Sequence, residues 1–480
     1  MSKFYKINES DNTAVALEDI EKGYCEGALT ALQDIPFGHK ILLTDLKKGD
    51  NVIKYGYPIG HIITDTPAGS YVHEHNIKTN LNEKLSYTFS GDNEYKIAET
   101  DLTFDGYVRQ NGDAATRNEI WIIPTVGCVN KTVQKLENLS QGLCSDIDGI
   151  FAFTHPYGCS QMGDDQEYTR KALAGLVNHP NAGGVLVVSL GCENTNIDVL
   201  KSYIGDIDAN RVKFLVTQNS DDEIEEGLEL IKELCSYAKQ FKRQPVPVSK
   251  LKIGLKCGGS DAFSGITANA LCGKITDKIT SVGGSCILTE VPEMFGAEQI
   301  LMSRAQNENV FNKIASMINS YKSYFEEHNQ VCYENPSPGN HQGGITTLEE
   351  KSLGCVQKGG FAAVTDVLDY YESCKRSGLS LLKGPGNDIV STTNLTCAGA
   401  VMILFTTGRG TPLGAPVPTV KISSNSKLAD KKANWIDFNA EKVGVDELFT
   451  EILSIASGKK TKNEINGCRE IAIFKDGVVL

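Results

Sequence analysis

No run of apolar residues in this chain is long enough to span a bilayer, and its opening segment, MSKFYKINESDNTAVALEDI, lacks the basic-then-apolar layout of a secretory leader. A membrane-spanning or exported protein is therefore not expected, and a cytoplasmic one is. Positive charge is also short: 47 Lys and Arg face 60 Asp and Glu, a net charge of -13. That argues against nucleic acid or an anionic membrane as the main partner, and leaves room for a local basic pocket holding a small anion. Fourteen cysteines include no CxxC pair, so their spacing identifies no metal by itself. Their scatter through a long chain suits a reducing compartment, in which most, such as Cys235, Cys286 and Cys374, act as small core residues. Neither GxxxxGK[ST] nor GxGxxG occurs, and nucleotide binding is not supported.

What is present is an α/β chain. Its 480 residues exceed one compact core, so several domains are expected. Residues 1–92 read as a small β-rich domain. A turn recurs there as DIEKG, DIPFG, DLKKG and DTPAG, each opened by Asp and closed by a Gly that supplies positive φ. Residues 93–118 are polar and irregular and read as a linker. From EIWIIPTVGCVN onward apolar strands alternate with helical patterns, the signature of mostly parallel sheets with helices on both faces. The proline- and lysine-containing KQFKRQPVPVSKLK divides an α/β domain at 119–245 from a C-terminal α/β domain at 246–480. EIAIFKDG reads as a final strand.

Ligands in open parallel sheets bind beyond the carboxyl ends of the strands. Seven polar or Gly-rich loops fall at such ends: HPYGCSQ, LGCEN, TQNSDD, KCGGSD, TEVPEM, KGPGND and FTTGRGTP. Cys159, Cys192 and Cys257 each follow an apolar strand into one of these loops. Either they are small fillers, or their thiolates converge on a soft metal ion or iron–sulfur cluster with one position left for substrate. YVHEHN places His73 and His75 two residues apart on one face of an extended segment, as a metal or acid–base pair or as two exposed edge histidines. NPSPGNHQGGITTLEEKSLG looks like a backbone-donor loop for carboxylate or hydroxyl groups, followed by a helix capped through Thr346 or Thr347. Arg409 in TTGRG offers a fork that suits a carboxylate.

These motifs, with TEVPEMFGAEQILM, GGITTLEEKSLG, GPGND and FTTGRGTP foremost, make the chain resemble the altronate/galactarate dehydratase family of sugar-acid hydro-lyases over nearly its whole length. NVIKYGYPIGH with GSYVHEHN is similar to that family's N-terminal domain of the small β SAF type. Two departures show: His341 stands where a Lys is usual, and TANALCG lacks a usual Pro. The resemblance implies loss of water from a sugar acid, altronate before galactarate or sulfolactate, to give a 2-keto-3-deoxy acid. It implies iron, as Fe2+ or an iron–sulfur cluster, with Mn2+ as a substitute, and a homo-oligomer is compatible with it. Iron meets a chemical need, because the proton beside a carboxylate is barely acidic and the enediolate formed needs a Lewis acid. The expected metal ligands are Cys159, Cys192 and Cys257. The expected base is His73, His75 or His155. Substrate contacts are expected from Asn76, Ser260, Asp261, Asn340 and Arg409. The alternative of another class is a non-catalytic sugar-acid-binding protein.

Overall fold

The computed structural model describes residues 2–81, 87–331 and 335–479. The N-terminal domain holds two small antiparallel sheets beside the short hairpin of Cys25–Glu26 and Leu29–Thr30. One orders Phe4–Tyr5, Thr13–Ala16, Lys40–Leu42 and Tyr71–Val72, and the other Asn51–Lys54, Tyr57–Ile62 and Ile77–Lys78. The four repeated turns end at Gly23, Gly38, Gly49 and Gly69, with φ of 88°, 81°, 94° and 84°, the region that favours glycine. Their aspartates do something local reading missed. Each accepts a backbone N–H from a partner turn: Asp19 from Phe37, Asp34 from Lys22, Asp45 from Ala68 and Asp65 from Lys48. The turns are thus locked in reciprocal pairs across the domain.

The stretch expected to be an irregular linker contains a strand, Thr103–Val108, paired antiparallel with Ala114–Ala115 and with Gln244–Pro247. Its few apolar residues hid it. Its outer partner tolerates Pro245 and Pro247 because an edge strand does not need every N–H in the ladder.

The next sheet is parallel and four-stranded, in the order Gly149–Ala152, Glu119–Pro124, Ala182–Ser189, Val212–Val216. The Ala182–Ser189 strand is buried along its whole length, which is why its sequence reads apolar without alternation. Helix Glu223–Ala238 opens on Asp222, whose carboxylate accepts the N–H groups of Ile224 and Glu225 at 3.0 and 2.9 Å. On that helix Cys235 is not a free core thiol as expected. It lies within reach of Cys144 from a loop 91 residues earlier in the chain, and the two form a disulfide. Cys286 and Cys374 are buried free thiols.

The C-terminal domain carries a seven-stranded parallel sheet in the order Val364–Leu368, Gly378–Leu382, Ser285–Leu288, Lys252–Cys257, Met402–Thr407, Thr419–Ser423, Phe438–Asn439. The chain therefore steps outward to one side of Lys252–Cys257 and later returns to its other side. The expected last strand does not form. The segment runs extended, with its N–H groups spent on side chains: Ala472 on Thr393, Phe474 on the Tyr371 hydroxyl, and Asp476 and Gly477 on the Asp165 carboxylate. No helix among the described residues is long and apolar enough to cross a membrane.

Candidate active site

The crevice beyond the carboxyl ends of Lys252–Cys257 and Met402–Thr407 is the topological switch point of the large sheet, where this architecture binds ligands. The two loops that leave it are stitched together. The N–H groups of Gly408 and Arg409 both donate to the Gly259 carbonyl, at 3.1 and 3.0 Å. Asp261 is buried and accepts from Ser264, Ser424 and Asn425. Gly408 has to be glycine, because a Cβ there would lie 2.3 to 2.6 Å from the Asp261 carboxylate.

The N-terminal domain sits on this crevice. Phe37 stacks on Phe263 with ring centroids 4.4 Å apart. Lys40 reaches across to Gly344 O at 2.8 Å, Thr346 Oγ1 at 2.7 Å and Glu350 at 2.9 Å, and Lys54 reaches the other Glu350 oxygen at 2.7 Å. All three charged side chains are 2% exposed or less. Burial alone would raise the Glu350 carboxyl; the two ammonium groups overcome it and hold the group at about 2. Glu350 lies in the first turn of the helix Leu348–Cys355, capped by Thr347 as the sequence suggested.

Above this buried triad the seam opens into a cavity of about 350 Å³ lined by His39, His73, Glu74, Pro338, His341 and Gln342. One ligand atom each from His73, Glu74 and His341 falls within 4.8 Å of the others, and no other trio of His, Cys, Asp or Glu gathers so closely among the described residues. Nε2 of His73 and Nε2 of His341 each stand 3.5 Å from a Glu74 oxygen. Both rings are oriented from behind. His341 Nδ1 donates to Ile345 O at 3.0 Å, which leaves Nε2 a lone pair. Thr346 Oγ1 accepts from Lys40 and stands 3.0 Å from His73 Nδ1, which fixes the ring. Burial, with Lys40 and His39 nearby, keeps His73 neutral down to about pH 3. Beside it, His39 Nδ1 lies 2.6 Å from the Tyr71 hydroxyl and its Nε2 faces Gln342 O. Burial, then Lys40, lowers the His39 pKa, and burial pushes the Tyr71 phenol up to about 12. On the same rim Arg409 spends Nη1 on Gly339 O and Gln342 Oε1, at 2.8 and 3.1 Å. Its side chain is exposed.

Beneath the switch point lies a buried charged nest. Lys256 pairs with Glu290 and Asp388, Lys358 with Glu290, and Lys351 with Glu293. Cys257 Sγ sits 2.6 Å from Ser260 Oγ, and the Cys355 thiol donates to Glu293 at 2.9 Å. A hydrogen bond from Cys355, with Lys358 assisting, draws the Cys257 thiol well below its usual range. Burial raises the Glu290 carboxyl despite its two lysines. Glu290 also holds a left-handed φ of 75°, a strain that side chains other than glycine rarely accept away from functional sites.

The structure redistributes the expected site residues. His73 and Arg409 are at the seam. His75 is exposed, because residues 73–76 form a turn and not an extended segment, so the two histidines do not share a face. Asn76 makes that turn: its carbonyl accepts His73 N–H and its amide donates to Tyr71 O. It is fully used in structure, as are Asp261 and Asn340, the latter bonding Ser337 and Ser260 O. Ser260 is buried with its hydroxyl on Cys257. His155 is buried in the other sheet's edge, with Nε2 on Pro124 O and Nδ1 accepting Tyr157 N–H, and it has no free nitrogen for catalysis. The cysteine trio is divided, because its loops belong to two sheets. Cys257 ends a strand of the seven-stranded sheet among Ser260, Cys355 and Glu290, whereas Cys159 and Cys192 follow strands of the four-stranded sheet and touch Asn194 and Gln218. Sequence reading missed His39, Tyr71, Glu74, His341 as a ligand, and the Lys256–Glu290 nest. Only the departure at His341 hinted at any of them.

Residues 2–80 match the family described as Altronate/galactarate dehydratase SAF domain, residues 106–239 the D-galactarate dehydratase/Altronate hydrolase second domain, and residues 248–479 the D-galactarate/Altronate dehydratase C-terminal domain. Proteins named altronate dehydratase from Bacillus subtilis (strain 168) and Escherichia coli (strain K12) are each 49% identical to this chain over the full length of both partners. A galactarate dehydratase (L-threo-forming) of Escherichia coli (strain K12) is 30% identical over 95% of this chain and 93% of its own.

Proposed function

The chain belongs to the altronate/galactarate dehydratase family of hydro-lyases, and on that footing we propose that it removes water from altronate to give 2-dehydro-3-deoxygluconate. The observation that carries the placement of the chemistry is the seam itself. His73 and Glu74 from one domain meet His341 from another, next to Arg409, at the switch point of the large sheet. The exposed guanidinium suits the substrate carboxylate. The cavity of about 350 Å³ is of the size that takes a small polar molecule.

Two imidazoles and one carboxylate make a donor set that fits Fe2+ and also Mn2+. The two Nε2 atoms converging on Glu74 support that fit. When bound there, such an ion would act as a Lewis acid on the substrate's carboxylate and hydroxyl oxygens. The chain's own groups handle the proton. His39 is neutral at physiological pH; with Nδ1–H given to the Tyr71 oxygen, its Nε2 can take the proton from carbon 2 once substrate parts it from the Gln342 carbonyl, 3.4 Å away, and the protonated Tyr71 hydroxyl can return one to the departing 3-hydroxyl. Thr346, itself held by Lys40, orients the His73 ring from behind. We place the enzyme in the cytoplasm, since eleven of its described cysteines are free beside the single disulfide.

The test is an anaerobic assay of the full chain with Fe2+ against altronate, galactarate and sulfolactate. Altronate should be turned over fastest. Good turnover of either rival with altronate inert would defeat the reading.

A further inference from the structure

Three adjacent parallel strands of the four-stranded sheet, Gly149–Ala152, Glu119–Pro124 and Ala182–Ser189, each lead into a loop that carries a free cysteine: Cys159, Cys128 and Cys192. Cys128 and Cys192 are exposed and Cys159 partly so, whereas the free cysteines described in the C-terminal domain, Cys468 apart, are buried. Cysteine is among the residues most often hidden, so three accessible thiols on one sheet edge need a reason.

The loops are built to stay together. Gly127 N–H donates to Tyr157 O at 2.9 Å, Asn130 Nδ2 to His155 O at 2.9 Å, and Thr195 N–H to Gly158 O at 3.1 Å. Asn194 Oδ1 takes both Ser160 N–H, at 2.9 Å, and the Cys159 thiol, at 3.4 Å. The buried Glu193 carboxylate, next to Cys192, bonds Thr125 and Ser189 hydroxyls and Gly191 N–H. Close approach requires glycine on both sides. A Cβ on Gly127 would meet the Pro156 backbone at 3.1 Å, and one on Gly158, at φ 108°, would run into Thr125 O. Ser160, at φ 56°, sits in the left-handed region right after Cys159. Arg170 donates Nη2 to Asn194 O and has a buried Nε with no partner, so a cation waits behind the loops.

We propose that Cys128, Cys159 and Cys192 hold an iron–sulfur cluster of the four-iron type, with one iron corner lacking a protein ligand. The site is independent of the dehydration reading above. Thiolates on one ion, at about 2.3 Å each, would stand about 4 Å apart. The three sulfurs do not gather within 4.8 Å, although their loops are tied to one another. A cluster takes each thiolate at a different iron, so its ligands need not crowd together as they would on a single ion. Each thiol gives up its proton on binding. The three negative charges are offset by the cluster's iron, with Arg170 nearby.

The experiment is anaerobic reconstitution of the full-length protein with equal amounts of ferrous and ferric ion and with sulfide, followed by iron and acid-labile sulfide analysis and visible absorption. About four of each per chain and a broad thiolate-to-iron band are expected. Cys128→Ser, Cys159→Ser and Cys192→Ser should each cut both contents at least fivefold, while Cys257→Ser and Cys468→Ser keep them. Should a variant fail to fold, alkylation of wild-type protein decides: cluster loading should protect those three cysteines and no others. The proposal falls if sulfide is never incorporated, if a single zinc or ferrous ion is taken up instead, or if Cys257→Ser loses the cluster while Cys128→Ser retains it. Altronate turnover enters none of these readouts, so failure here leaves the seam assignment standing, and failure there leaves this one.

Discussion

Two sheet edges in this protein carry the same local device, an apolar strand running into a small-residue loop with a cysteine, and they end up as different environments. At the large sheet the N-terminal domain closes over the edge, buries Cys257 among lysines and carboxylates, and adds histidines from outside. At the four-stranded sheet only the C-terminal segment touches the loops, at Gln161 and Asp165, and their thiols remain wholly or partly accessible. The difference lies outside both motifs. It comes from where residues 40 and 54 meet residue 350, a non-local contact that leaves no mark in either loop.

The comparison can be broken most decisively at the covered edge. His341→Ala should lower kcat/KM on altronate by about 10³-fold, roughly 4 kcal/mol of transition-state stabilisation, with the circular dichroism spectrum unchanged. A folded variant within tenfold of wild type would move the chemistry away from the seam.

Next in size is Glu350→Gln, which leaves two buried ammonium groups with a neutral partner. It should cost about 3–5 kcal/mol in urea unfolding. The pH dependence has a defined sign. The folded carboxyl is held at about 2, below the roughly 4.3 of an unfolded Glu, so its contribution is present above that unfolded value and disappears as pH falls toward 2. The variant should lack that part of the acid loss, and equal acid slopes would show that the triad does not couple the domains.

Arg409→Lys keeps the charge and loses the fork. It should raise KM about tenfold with kcat within threefold, as expected for a group that binds the carboxylate equally in ground and transition states. A fall in kcat alone would make Arg409 part of the proton chemistry instead.

The smallest effect should come from His75→Ala. The side chain is exposed and the turn is held by Asn76 and not by it, so turnover should stay within twofold. A large loss would show that His75 swings into the cavity.

Much of the fold was legible. The alternation of apolar runs with acid-led helices gave the parallel sheets, and all seven marked loops do lie at strand carboxyl ends. The division at KQFKRQPVPVSKLK already assigned these ends to two domains; what sequence could not show was the strand order within each sheet, which depends on crossovers of many residues. Thr103–Val108 escaped notice because a half-buried strand needs only alternate apolar positions, and a polar surround masks them. At the site, His73 and Arg409 were visible as residue types out of place in a core. Glu74 and His341 were not, since each becomes a candidate ligand only when domains distant in sequence meet. Asn76, Asp261 and Asn340 looked reactive for a simple reason: amides and carboxylates that brace a tight loop are the same residue types that hold a sugar acid.

The buried meeting of Lys40 and Lys54 with Glu350 also sets a schedule. Their partners lie 310 and 296 positions further along the chain. At about 5–20 residues per second, Lys40 and Lys54 are synthesised roughly 15–60 s before Glu350 exists to receive them. During that interval two lysines destined for the interior remain hydrated, and the cavity has only one of its walls. The reaction centre is therefore completed late in synthesis, and a nascent chain that stalls before residue 350 remains catalytically silent.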